Sequence, residues 1–300
     1  IFCVQTSLLS QVVINEFMAS NSLAFEDPDF EDTGDWVELF NASSGTVNLS
    51  GWHLTDNVSN PTKWTIPDGV ELTSGGFLVI WCDERDAADL ALHSSYRLSS
   101  AGEELALFNP QLEAIDSFVF GAQESDVSYG RTGDGLGDWS WFSSATPGAS
   151  NSTSQAYDGI TFALPYFSSE GGFYSEVLEV SMSSILGEVR YTLDGRVPNL
   201  SDPLFSSPVQ VNADVFLRAR VFEEGYIPGP VVTHSYFLNT DFTDRPLPVV
   251  SLVTDPDHFW DADTGIYVQD FKPDWEWPVN VEFFENDGNN EAAFNECAGV

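Results

Sequence analysis

The chain has 300 residues, of which 47 are acidic and 10 basic, for a formal net charge of −37; 42% are hydrophobic and 14% aromatic. Affinity for phosphate backbones comes from Lys and Arg displacing counterions, so this balance excludes a nucleic-acid binder and disfavours docking on anionic lipid. The apolar content excludes a disordered chain, three widely separated cysteines exclude a disulfide framework or thiolate zinc cluster, and no apolar run is long enough to span a membrane.

In chain order, residues 1–11 (IFCVQTSLLSQ) run from apolar to small and polar. They read as the tail of a secretory signal peptide, with a first β-strand as the alternative, and so place the protein outside the cell. Short runs rich in β-branched and aromatic residues predict strands at 36–40, 76–81, 104–108, 115–120, 189–192 and 216–221. Helical periodicity is weak, and 84–92 is the best helix. The Ser/Thr/Asn/Gly/Pro-rich stretch 145–155 marks one boundary and the polar-to-apolar change at 239–248 a second. Residues 279–285 and 298–300 read as strands about an Asp-Gly-Asn-Asn turn, and the chain reads as a fragment of a longer protein.

The first module, 12–150, carries INEFMASN (14–21), DWVELFN (35–41), VNLSGWHLTD (47–56), the Lys63-Trp64 pair, GGFLVIW (75–81), LSSAGEELAL (98–107), VSYGR (127–131) and ATPGASN (145–151). Together these resemble a bacterial lamin-tail domain. The resemblance implies an immunoglobulin-like β-sandwich used as an accessory module on secreted and surface proteins. Trp36, Leu39, Trp52, Leu54, Trp64, Leu78 and Trp81 are expected to face inward between two sheets.

After a linker at 151–157, the module at 158–239 carries VRYTLDGRVPN (189–199), LFSSPVQV (204–211), FLRARVFEEGYIPG (216–229) and THSYF (233–237), with Asp194-Gly195 as a hairpin turn signal. It resembles the C-terminal sandwich of chitobiases and β-hexosaminidases, which carries none of those enzymes' catalytic residues. After a second linker at 240–246, the runs at 247–268, 278–288 and 298–300 resemble the opening of the spore-coat CotH kinase family. The expected fold class is therefore mainly β: two tandem immunoglobulin-like β-sandwiches followed by an incomplete α+β kinase-like domain. For a complete domain the last resemblance implies ATP, a divalent metal and phosphoryl transfer to Ser or Thr. It assigns no catalytic residue within this chain.

Residues 26–38 hold seven carboxylates. Asp27, Asp29, Glu31, Asp35 and Glu38 make a candidate calcium site, because hard cations need several converging oxygens. The spacing from Asp27 follows an EF-hand loop at positions 1, 3, 5 and 12 but puts Asp32 where the invariant Gly belongs; the competing reading is a solvated acidic loop. Asp255, Asp257, Asp261 and Asp263 read first as turn and helix-cap chemistry. GRTGDGLG (130–137) lacks the Gly-Lys-Ser/Thr ending of a phosphate loop and reads as a turn. The four histidines show no zinc-site spacing. Trp275 and Trp277 flank Glu276, and alternation makes them a candidate ligand platform beside the alternative of core filling.

These readings point to a non-catalytic region of spacing or docking sandwiches, belonging to an exported bacterial CotH-type protein with a protein or glycan surface partner. The alternative is a surface adhesion or glycan-binding protein without enzymatic activity, calcium-dependent if the acidic loop binds the ion.

Overall fold

The computed structural model describes residues 12–85, 90–238, 247–267, 277–285 and 291–299. The expected signal remnant, the linker 240–246, Trp275 and the turn at 287–290 lie outside them. The chain divides into two compact units, residues 1–159 and 160–300.

In the first unit, runs such as VVINEFM and FLVIWC form strands because their branched and aromatic side chains fit a pleated surface buried on one or both faces. A six-stranded sheet has the order Leu136–Phe142, Ser128–Gly133, Val12–Met18, Asp35–Asn41, Phe77–Cys82, Leu92–Ser94. Its pairs are antiparallel except the last, in which Ile80 to Cys82 run parallel to Leu92 to Ser94. A four-stranded sheet, in the order Ala114–Phe120, Glu103–Phe108, His53–Thr55, Trp64–Thr65, faces it.

The core between the sheets holds Ile14, Phe17, Val37, Leu39, Ile80, Leu54, Leu105 and Leu107. Ile14 and Phe17, three residues apart, can share that face because the register shifts between Ile14 and Glu16, as a bulge allows. This is the expected sandwich.

Two of the expected inward residues face the other way. Trp36 and Trp81 lie with Met18 in a separate cluster, packed by Phe25, Val79, Ala91 and Ala145. The period-2 rule explains it: Trp36 and Leu39 have opposite parity on one regular strand, so they cannot share a face. The outer face is nevertheless dry, because the loop after Met18 and the segment after Phe142 cover it; Phe25 stacks on Trp81 with centroids 5.1 Å apart.

The stretch 151–157 is no free spacer. A 3₁₀ turn at Asn151–Thr153 is capped by Ser150, Asn151 is buried, and Tyr157 bonds to Trp141 through two backbone bonds. Of the expected turn GRTGDGLG, only Asp134 and Gly135 form one; the residues on either side are ends of the paired strands Ser128–Gly133 and Leu136–Phe142. The expected helix at 84–92 does not appear among its described residues: Glu84 and Arg85 are irregular and Leu92 opens a strand.

In the second unit a four-stranded sheet runs Gly172–Tyr174, Val232–Leu238, Val215–Phe222, Glu188–Thr192. The short pairs Leu178–Val180 with Val209–Val211 and Tyr166–Phe167 with Met182–Ser183 accompany it. Val180, Met182, Val211, Leu217, Ala219, Val221 and Tyr236 fill its core.

Asp194-Gly195 turns the chain, with Gly195 at φ +88, but makes no simple hairpin. Glu188–Thr192 instead pairs with Val215–Phe222, because Val209–Val211 leaves for the other layer. At Gly187, φ is +61 and a Cβ would meet the Phe222 carbonyl oxygen. Gly187→Ala is therefore expected to cost about 1–3 kcal/mol, measured by urea unfolding.

The strands Val249–Val253, Pro278–Phe284 and Phe294–Gly299 form an antiparallel sheet in this same unit. It is tied to the sandwich by polar bonds from one buried strand: Ser235 N donates to Glu282 Oε2 at 2.7 Å, and the Ser235 and Ser251 hydroxyls lie 2.7 Å apart. Phe173, Phe237 and Phe284 pack together beside them. The one α-helix among the described residues, Pro256–Trp260, is capped by Asp255, whose carboxylate accepts from Asp257 N; the Asp261 carboxylate accepts from Asp263 and Thr264. Asp255 and Asp261 thus do the turn and cap work expected of them.

Candidate functional site

The acidic loop is built from its ends inward. The Asn21 side chain donates to the Phe25 and Gly34 carbonyls and accepts from Phe25 N. Asp126 Oδ1 accepts from the N–H groups of Ser22, Leu23 and Ala24. Between these anchors a tight turn closes, with Asp27 N donating to the Asp32 carbonyl at 2.7 Å and Glu31 N to the Asp27 carbonyl at 2.9 Å. Glu31 takes φ +55 to complete it and points to solvent.

That turn drives Asp27 into the protein, where it is 1% exposed. Its Oδ1 accepts from Asp29 N, while its Oδ2 has no hydrogen-bond partner. Asp29 reaches across to the segment before Leu92–Ser94 and accepts from Leu90 N and Ala91 N at 2.9 and 2.8 Å.

His93 stands at the centre. Its Nδ1 is 2.9 Å from Asp83 Oδ2 and 3.7 Å from Asp27 Oδ2; its Nε2 is 3.2 Å from Asp29 Oδ2. The parallel pairing of Phe77–Cys82 with Leu92–Ser94 sets this up, since it brings Asp83, just past one strand, beside His93 in the other. Phe30 packs edge-on against the imidazole and takes the Arg85 guanidinium over its face.

Arg85 makes two bonds to Asp32, at 2.9 and 2.5 Å, which hold that carboxyl below its usual range. Burial pushes Asp27 up. Asp35 accepts from Leu98 N and is raised by burial to about 6. Asp35, Asp83, Arg85 and Thr33 line a cleft of about 210 Å³ beside the cluster.

Of the five expected calcium ligands, then, the structure brings Asp27 and Asp29 together. Glu31 faces water, Asp35 lies in the adjoining cleft, and Glu38 belongs to a different network. An EF-hand-like shell from one loop is not what forms. Asp83 and His93, which complete the cluster, escape sequence reasoning because no local motif links residues 27, 83 and 93.

Glu38 lies under the segment that follows Phe142, opposite Glu16 on the neighbouring strand. Its Oε1 accepts from Asn15 Nδ2 and its Oε2 from Gly148 N at 2.6 Å. Burial, with a smaller contribution from Glu16, raises its carboxyl to about 8. Glu16 takes hydrogens from Ser128 and Thr146, which oppose the upward push of its own burial. Perturbed carboxyls often mark active sites. Here both are fully buried and their oxygens accept from strand and loop donors.

Trp277 donates Nε1–H to the Thr264 carbonyl and stacks on His258 at 4.6 Å, which covers one face of its ring. Its expected partner Trp275 is outside the described residues.

Comparison with known proteins agrees with this division. No curated protein matches the chain. Residues 5–122 match the Lamin Tail Domain family and residues 169–233 the Chitobiase/beta-hexosaminidase C-terminal domain family. The strands Ser128–Gly133 and Leu136–Phe142 lie past the first match yet pair into its six-stranded sheet. The chain is thus similar to a lamin tail domain in its first unit and to a chitobiase C-terminal domain in its second.

Proposed function

We propose that the chain is the non-catalytic, docking and spacing region of an exported surface protein. One observation carries this reading: the buried carboxylates Glu16, Glu38 and Glu282 each accept from a backbone N–H of a segment they anchor, namely Thr146, Gly148 and Ser235. They join strand to loop or sheet to sheet. Both family matches are to sandwich modules, and chitobiase-type domains are typical of extracellular proteins.

The basic residues add a second support. Lys63, Arg85, Arg97, Arg131, Arg190 and Arg196 each pair with a carboxylate, and Arg218 and Arg220 bond to carbonyls. A large excess of carboxylates remains, which favours a protein or glycan partner that brings cationic groups or bridging cations.

The resemblance of 247–300 to the opening of a CotH-type kinase extends the proposal to a larger protein with phosphoryl-transfer activity. That extension rests on the sequence resemblance alone. Incubating the purified chain with ATP and magnesium, and separately with chitin oligosaccharides, is expected to give no turnover. Product formation that copurifies with the chain through successive columns contradicts the non-catalytic reading.

A further inference from the structure

We propose that Asp27, Asp83 and His93 bind one divalent transition-metal ion of the kind that takes mixed nitrogen and oxygen donors, such as Zn²⁺. The site goes beyond the docking reading and does not depend on it.

Three buried donors, one from each residue, lie within 4.8 Å of one another. His93 Nδ1 is 2.9 Å from Asp83 Oδ2 and 3.7 Å from Asp27 Oδ2. Tetrahedral zinc with bonds of about 2.0–2.1 Å spaces its donors about 3.3 Å apart, so these two separations bracket what the ion requires.

The hydrogen inventory allows it. A neutral imidazole has one N–H. On Nδ1 that hydrogen donates to Asp83 Oδ2 at 2.9 Å; on Nε2, directed at Asp29 Oδ2 at 3.2 Å, it leaves Nδ1 presenting a lone pair to two carboxylates. A cation among them removes the repulsion. The result is a carboxylate–histidine–metal relay in which Asp29 orients the imidazole and Nδ1 ligates.

The independent sign is Asp27 Oδ2. It is buried and without a hydrogen-bond partner, while the other oxygen of the same carboxylate is held by Asp29 N. Burying a charged oxygen with Arg85 NH1 and His93 Nδ1 each 3.7 Å away, beyond hydrogen-bond reach, is costly, and a metal ion removes that cost. Of the three ligands, Asp83 also lines the neighbouring cleft, beside Arg85.

Arg85 NH1 stands 3.5 Å from Asp83 Oδ2 and 3.7 Å from Asp27 Oδ2, with its fork turned to Asp32. Its charge competes with the ion without occupying the ligand positions. Calcium fits poorly, since it takes six to eight oxygens and the centre here offers two carboxylates and a nitrogen.

The test is titration of the metal-stripped chain with Co²⁺, followed by competition with Zn²⁺ or Ca²⁺. We expect one equivalent of Co²⁺ to bind, with visible d–d absorption and no thiolate charge-transfer band, and Zn²⁺ but not Ca²⁺ to displace it. Asp27→Asn and His93→Gln should abolish binding. Asp29→Asn should weaken it about 10- to 100-fold, Arg85→Gln should tighten it, and Glu31→Gln on the same loop should leave it unchanged. Circular dichroism checks each fold, and Asp27→Asn, which nearly preserves side-chain volume, backs up His93→Gln. No stoichiometric Co²⁺ binding, full binding in the folded Asp27→Asn protein, or displacement by equimolar Ca²⁺ overturns the proposal.

Discussion

Asn151→Ala is expected to lower the melting temperature of the first unit by on the order of 10 °C. The Asn151 side chain donates to the Asn15 and Arg131 carbonyls and accepts from Asn15 Nδ2. It is 1% exposed. Truncation leaves buried donors and acceptors unpaired on several sides. Each unsatisfied group costs about 1–3 kcal/mol; a total of about 3 kcal/mol corresponds to that shift in a unit of this size. Were 151–157 a free linker, the same substitution would stay within about 0.5 kcal/mol, as surface changes usually do. Asn151→Asp should cost at least as much, because it sets another carboxylate near Glu16, Glu38 and Asp134. Scanning calorimetry on the three proteins distinguishes the two outcomes.

The second large effect is loss of stability as the solution becomes alkaline. Glu38 has its carboxyl raised from 4.5 to about 8 and Asp35 from 3.8 to about 6, both chiefly by burial. A raised carboxyl binds its proton more tightly in the folded state. The stability it contributes is therefore fully present below its unfolded value and is lost as pH rises through the folded one. For Asp35 the window is 3.8 to about 6, and for Glu38 it is 4.5 to about 8. At about 1.4 kcal/mol per pKa unit the combined loss by about pH 9 is on the order of 8 kcal/mol. Glu38→Gln removes the titrating group, so its melting temperature should flatten between about pH 6 and pH 9 relative to wild type, whatever its level at the acid end. An equal slope in both proteins would show that Glu38 is not the source.

How far the sequence speaks depends on how local the cause is. DWVELFN and GGFLVIW were readable as strands because period-2 alternation and branched residues act within six or seven positions. Which face is the interior was not readable in the same way. Trp36 and Leu39 both look like core residues, and both are buried, but on opposite sides of the sheet; the outer side is dry only because Phe25 and the segment after Phe142 cover it. Asn151 shows the converse. Its polar, small-residue neighbourhood has the composition of a linker, and only the buried glutamates beneath it turn that composition into a packed lid.

The candidate site was legible as an acidic loop and no further. Asp27 and Asp29 meet Asp83 and His93 through a parallel strand pairing that no spacing rule reports. Glu38, in register with the supposed ligands by count, is carried to another network because it lies on a strand rather than in the loop.

The non-catalytic reading stands on the buried carboxylates being closed acceptors that solvent and substrate cannot reach. Its most direct test is a carboxyl-¹³C titration of glutamate-labelled protein in the presence of a soluble paramagnetic chelate. Glu38 should titrate near its raised value of about 8, with its resonance unbroadened by the chelate. A Glu38 midpoint with the exposed glutamates near 4.5, or broadening that shows the carboxylate open to solvent, would contradict it.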